Sequence, residues 1–168
     1  MKDERVILPG SYDPVTLGHL DLIRRAAAEY REVYAVIFRN PKKTCLFSLS
    51  ERMAMLMLAT EDLDNVLVSE SDGLVIDYMK EHGIRKIIKG CRDERDLAYE
   101  REQAAWNSAH GGAETILLPC SDALRQVSST EARRRIAEGG DLSPLLPEKV
   151  IAYLKNRGKA ADIPPKRR

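Results

Sequence analysis

Val6-Ile7-Leu8-Pro9-Gly10-Ser11-Tyr12-Asp13-Pro14-Val15-Thr16-Leu17-Gly18-His19 is the stretch on which the fold turns. Its first three residues are apolar and stopped at once by Pro-Gly, the pattern of a short strand buried on both faces. Beyond the loop, Leu20, Ile23, Ala27 and Tyr30 recur at spacings of three and four, so a helix over residues 18–30 with one apolar face follows. Strand, loop and helix open a βαβ unit, and the rest of the chain repeats that alternation. Val33 to Phe38, Val66 to Val68, Lys86 to Ile88 and Thr115 to Leu118 read as further strands. Helical patterns lie between and after them at 50–60, 74–81, 96–110, 129–137 and 147–156. Ser48 or Ser50 can cap the second helix, with Glu51 favouring its dipole, and Pro147 suits the first position of the last. Strands alternating with helices imply a doubly wound α/β fold, a Rossmann-like five-stranded parallel sheet with helices on both faces. Residues 1–157 are expected to form one domain, and the basic stretch 158–168 a flexible tail.

Composition narrows the function classes. The 168 residues carry 27 Lys plus Arg against 26 Asp plus Glu, a net charge of +1, unlike the strongly basic surface of a dedicated nucleic-acid binder. Cys45, Cys91 and Cys120 are odd in number and lack metal-type spacing, so neither a disulfide framework nor a zinc site is expected. No apolar run is long enough for a bilayer, and the opening residues lack a signal-peptide core. The expectation is a cytoplasmic protein without nucleic-acid or membrane partners.

In a doubly wound sheet, ligands sit beyond the carboxyl ends of the strands, where strand order reverses. Chemistry-bearing residues fall in those places. Gly10 and Ser11 leave the first strand, and Thr16, Gly18 and His19 open the following helix, whose free amides favour an anion. The loop contains neither GxGxxG nor GxxxxGK[ST], so it is not the usual dinucleotide or P-loop fingerprint. Lys42 and Lys43 follow the second strand, and Lys89-Gly90-Cys91-Arg92 ends the fourth. Gly90 would let a ligand approach the backbone, and Arg92 offers a planar fork to phosphate. Val127-Ser128-Ser129-Thr130 opens a helix after the fifth strand, with Arg133 one turn on. By pattern alone, Leu74, Val75 and Trp106 read as core packing.

These segments resemble the nucleotidyltransferase superfamily with the [TH]xGH motif, and within it the phosphopantetheine adenylyltransferase family. PGSYDPVTLGHLDLIRRA resembles that family's P-G-[TS]-F-D-P-x-T-x-G-H-x-D-[IL]. NPKKTCLFSLSER, DGLVIDY, KGCRDERDLAYE and VSSTEARRRIAEGGDLSPLLP follow in the family's order, so the likeness runs from Val6 to Leu154. The resemblance implies transfer of AMP from ATP to 4′-phosphopantetheine with magnesium on the triphosphate, by a homo-oligomer, in this family a hexamer. It implies catalytic roles for His19, Lys43 and Arg92, with His19 stabilising the transition state at the α-phosphate. ATP would meet Ser11, Tyr12, His19, Gly90, Cys91, Arg92, Glu100, Leu124, Arg125, Gln126, Val127, Ser128, Ser129 and Thr130. The acceptor would meet Ser11, Lys43, Leu74, Val75, Lys89, Trp106 and Asn107. Lys89 stands where the family usually has arginine, which keeps charge but loses the bidentate fork, and Leu124 where it usually has an aromatic. The chemistry needs alignment and cations rather than a base, because a phosphate nucleophile is already ionised; His19, Lys43, Lys89 and Arg92 are the candidate cations. Rival readings are the same fold with another acceptor, such as nicotinate mononucleotide, or with CTP and a phosphoalcohol, and a nucleotide-binding module without activity.

Overall fold

All five strands lie parallel in one sheet in the computed structural model, which describes residues 2–159. The central strand β1 (Lys2–Gly10) pairs with β2 (Tyr30–Phe38), which pairs with β3 (Val66–Ser71) at one edge. On its other side β1 pairs with β4 (Lys86–Cys91), which pairs with β5 (Glu114–Pro119). The order β3-β2-β1-β4-β5 reverses direction between β1 and β4, so the fold class expected from the alternation is the one observed.

Helices α1 (Leu17–Glu29), α2 (Leu49–Thr60), α5 (Ser129–Glu138) and α6 (Glu148–Lys159) pack on one face of the sheet; α3 (Val75–His82) and α4 (Glu94–Gly111) lie over the other. Side-chain alternation along the strands builds both layers. Val6 and Leu8 face Ile23, Met55, Leu56 and Ala132 in the larger core, while Ile7 meets Tyr78, Met79 and Ile87 in the smaller. The α4 helix buries none of its residues fully, and leaves Tyr99 and Trp106, two turns apart, exposed.

Several boundaries differ from the expected ones for identifiable reasons. Tyr30 does not continue α1 but begins β2; Asn65 Nδ2 donates to both Ala27 O and Tyr30 O at 2.9 Å, closing the helix there. β1 begins at Lys2 rather than Val6, because Arg5 Nε reaches Glu32 Oε1 of the neighbouring strand at 2.7 Å, and this cross-strand pair carries a charged stretch into the ladder. Ser48, not Ser50, caps α2, in a capping box with Glu51. The last helix runs to Lys159, past the expected domain end at 157, and the rest of the expected tail lies outside the described residues.

Candidate active site

The reversal point between β1 and β4 holds a cleft of about 460 Å³. Its walls are the ends of those strands, the opening of α1, and the segment from Cys120 to Arg133. The cleft gathers Tyr12, His19, Lys43, Lys89, Gly90, Cys91, Arg92, Glu100, Leu124, Val127, Ser128, Ser129 and Thr130 from widely separated parts of the chain.

His19 is positioned by the cap of its own helix. Thr16 is the N-cap of α1; its backbone N–H donates to His19 Nδ1 at 3.0 Å, while its hydroxyl accepts from the His19 N–H at 3.3 Å. This is a capping box in which imidazole replaces the usual Glu or Gln. Because Nδ1 accepts, the proton of the neutral ring sits on Nε2, on the edge left for the cleft. The Tyr12 ring lies 4.8 Å from the imidazole, and its buried hydroxyl donates to Leu8 O at 2.7 Å, which holds Tyr12 at φ 49°. Burial pushes the His19 pKa down to about 4, with Lys89 and Arg92 adding repulsion. The expectation of a cationic His19 is therefore corrected: in the free protein it is a neutral Nε2–H donor among cations.

Those cations arrive by different routes. Lys43 follows β2, and its Nζ donates to Ser11 Oγ at 3.1 Å. Lys89 lies 3.6 Å from Glu100, and Arg92 Nε donates to Asp96 Oδ2 at 3.0 Å. Among the described residues, no three His, Cys, Asp or Glu side chains stand close enough together to hold a metal ion. An ion entering with a polyphosphate would rely on phosphate oxygens instead. At the opening of α5, Ser128 Oγ accepts from Glu131 N–H and Ser129 Oγ donates to Pro14 O. These hydroxyls serve the fold, leaving the first amides of the helix as the groups that face an anion. Arg133 holds the β1–α1 loop by donating from Nη1 to Asp13 O at 2.8 Å, and it lines the cleft.

The absent side chain of Gly90 has a second use besides its place in the cleft lining. A methyl there would sit 2.5 Å from Leu22 Cδ1, so Gly90 also makes room for α1. Ser11 lies in a neighbouring cavity of about 570 Å³, shared with Lys43 and lined also by Phe38, Arg39 and Asp72. Arg125 donates to Arg92 O at 2.7 Å and is not part of the cleft lining, and Gln126 is exposed outside it. Leu74, Val75, Trp106 and Asn107 line neither cavity. Leu74 and Trp106 are 55% and 46% exposed, which overturns their reading as core; β3 is an edge strand, and α4 has no layer over its outer face.

Two positioning residues escaped the sequence reading. The carboxylate of Asp13, 2% exposed, accepts from Leu46 N–H at 2.8 Å and Phe47 N–H at 3.0 Å, tying the Lys43 loop to the β1–α1 loop. Arg52 is also buried, donating to Phe47 O and Ser11 O. Its signal was present in the sequence, since Arg52 shares the inward stripe of Met55, Leu56 and Ala59 on α2.

A switch-point cleft lined by cations, a capped histidine and a helix N-terminus suits a nucleotide's phosphates. Comparison with protein families agrees: residues 7–135, more than half of the chain, match the cytidylyltransferase-like family. That span begins inside β1 and ends within α5, enclosing every wall of the cleft. The chain therefore belongs to the cytidylyltransferase-like family of nucleotidyltransferases.

Proposed function

We propose that this nucleotidyltransferase transfers AMP from ATP to 4′-phosphopantetheine, giving dephospho-coenzyme A and pyrophosphate. The observation that carries the reading is the gathering of Lys43, Lys89, Arg92 and the His19 imidazole around one cleft at the β1–β4 reversal. Nucleotidyl transfer follows from the family; adenylyl transfer to this acceptor rests on the motifs from PGSYDP to VSST.

An acceptor phosphate oxygen attacks the α-phosphorus of MgATP, and the bond to pyrophosphate breaks with its electron pair on the leaving group. No base is needed, because the nucleophile is an anion. The chain's work is to align two polyanions and offset their charge. His19 Nε2–H donates to an α-phosphate oxygen, and its fixed tautomer makes that donor available before substrate arrives. The opening amides of α5, with Arg133, receive the distal phosphates, and Arg92 lies between them and the α-phosphate. Ser11, Lys43 and Lys89 receive the acceptor phosphate. The pantetheine arm then extends into the cavity beyond Ser11, toward Leu74 and Val75; Trp106 and Asn107 rest on the resemblance alone. The remaining cleft wall, with Tyr12, Cys91, Glu100, Leu124 and Val127, accommodates the nucleoside. The exposed Tyr99 and Trp106 of α4 support a homo-oligomer, a hexamer by resemblance.

The test is to incubate the protein with magnesium and ATP or CTP against a panel of phosphorylated acceptors, and to identify products by mass. Dephospho-coenzyme A from ATP and 4′-phosphopantetheine is expected. Pyrophosphate release with nicotinate mononucleotide, and none with phosphopantetheine, overturns the acceptor. Tight ATP binding with no turnover on any acceptor overturns the enzyme.

A further inference from the structure

Arg52 is a buried cation without a carboxylate partner. It is 7% exposed, yet its hydrogen bonds go to neutral carbonyls, from Nε to Phe47 O at 3.1 Å and from Nη1 to Ser11 O at 3.0 Å. Among the described residues no carboxylate pairs with it: neighbouring Glu51 is taken by Arg157 at 2.7 Å, and Asp13 by two amides and Arg133. Arg52 also sits in the first turn of α2, where the helix dipole favours an anion over a cation. Burying an unmatched charge is costly, so tethering two loops does not by itself account for a guanidinium there. A guanidinium donates once from Nε and twice from each Nη, and the two carbonyls use only Nε and one Nη1–H. The remaining donors are not sealed in the core: among the described residues, the buried side-chain polar atom without a partner is Thr115 Oγ1. Arg52 instead lines the cavity of about 570 Å³ that also holds Ser11 and Lys43.

We propose that Arg52 is an anion-binding residue of this cavity, supplying a guanidinium fork to the acceptor's phosphate beside Lys43 and Ser11. The assignment rests on the acceptor reading given above. Ser11 joins the two cations: its carbonyl accepts from Arg52, and its hydroxyl accepts from Lys43 Nζ at 3.1 Å, which leaves the hydroxyl proton to donate. The other charges lining the cavity are already matched, since Arg39 lies 3.2 Å from Asp72 and 3.2 Å from Glu70. Lys43 lines both this cavity and the nucleotide cleft, so an anion held between Lys43 and Arg52 stands where the two spaces adjoin. An acceptor phosphate has to stand there for its oxygen to reach the α-phosphorus. The planar fork also offers the bidentate geometry that Lys89, a point charge, lacks. The bonds to Phe47 O and Ser11 O hold the guanidinium in place before the anion arrives, so little ordering is left for binding to impose.

Calorimetry in the absence of nucleotide tests the assignment, comparing 4′-phosphopantetheine with pantetheine, which lacks only the phosphate. Arg52→Gln should weaken 4′-phosphopantetheine binding by roughly 10- to 100-fold, the loss of a charge-assisted contact, and leave pantetheine binding within about twofold. Arg52→Lys, which keeps the charge without the fork, should fall between the wild type and Arg52→Gln. A purely tethering role weakens binding of both acceptors by the same factor, and that result overturns the proposal. Circular dichroism establishes that the variants are folded. Where they are not, the wild type decides: titration with inorganic phosphate should shift the NMR signal of the Arg52 Nε–H, and an unmoved signal overturns the site. A signal that moves with inorganic phosphate, in a protein that binds neither 4′-phosphopantetheine nor pantetheine, upholds Arg52 as an anion-binding residue and counts against the acceptor reading alone.

Discussion

Placing His19 in a capping box beneath two cations has a consequence for stability that is independent of any assay of activity. In the unfolded chain the imidazole takes up a proton below pH 6.5, whereas in the folded protein it resists until about pH 4. Between those values the unfolded state binds more protons, so stability rises with pH and is lost as pH falls. Each pH unit in that interval is worth about 1.4 kcal/mol, so the contribution lost by pH 4 is roughly 3 kcal/mol. The comparison that isolates it is His19→Gln, which keeps a capping-box acceptor for the Thr16 N–H but cannot titrate. Urea unfolding at pH 7.0 and pH 4.5 should show the wild type losing roughly 2–3 kcal/mol more than the variant between these conditions. The His19 ring signals in NMR should titrate near pH 4 and show the Nε2–H tautomer at neutral pH. Parallel losses in the two proteins, or a titration midpoint near 6.5, would refute the account of a desolvated, cation-flanked ring.

Other perturbations probe the loops around the cleft. Asp13→Ala strips the acceptor from the amides of Leu46 and Phe47, and urea unfolding should show a loss of about 2–5 kcal/mol. Asp13→Asn, which keeps one oxygen acceptor, should lose less; equal stability in all three would remove Asp13 as the anchor. Gly111→Ala sets a methyl 2.7 Å from Ile76 Cγ2 and 2.8 Å from its Cβ, positions a branched side chain cannot vacate. Thermal unfolding should register a loss of about 1–3 kcal/mol, whereas a stability gain would mean that α3 and α4 separate freely. For the proposed reaction, Lys89→Ala should raise the acceptor KM roughly tenfold, the loss of one charge-assisted contact. Lys89→Arg should not raise it, and identical acceptor kinetics in all three proteins would take Lys89 out of the site.

The order of strands and helices was legible because local signals act within a few residues: apolar triplets closed by Pro-Gly, and a three-and-four stripe from Leu20 to Ala27. The parallel sheet follows from that alternation, since each crossover helix returns the chain to the same end. Loops after strands were therefore the places to search, and His19, Lys43, Lys89, Arg92 and Ser128 to Thr130 were found there. What those residues do once together was not legible. A histidine in a TxGH segment reads as a cation until burial and the fields of Lys89 and Arg92 are known, and both depend on strands far away in sequence. That Gly90 also makes room for Leu22 of α1 shows only once the helix is seen against it. Asp13 looks like an ordinary loop residue until it caps amides 33 and 34 positions further along. Leu74 and Trp106 look like core until the edge position of β3 and the uncovered side of α4 leave them exposed. Periodicity and turn chemistry are short-range properties that the sequence determines by itself. Proton affinity, burial and the anchoring of one loop to another are set by what lies across space, and only the tertiary structure brings those partners together.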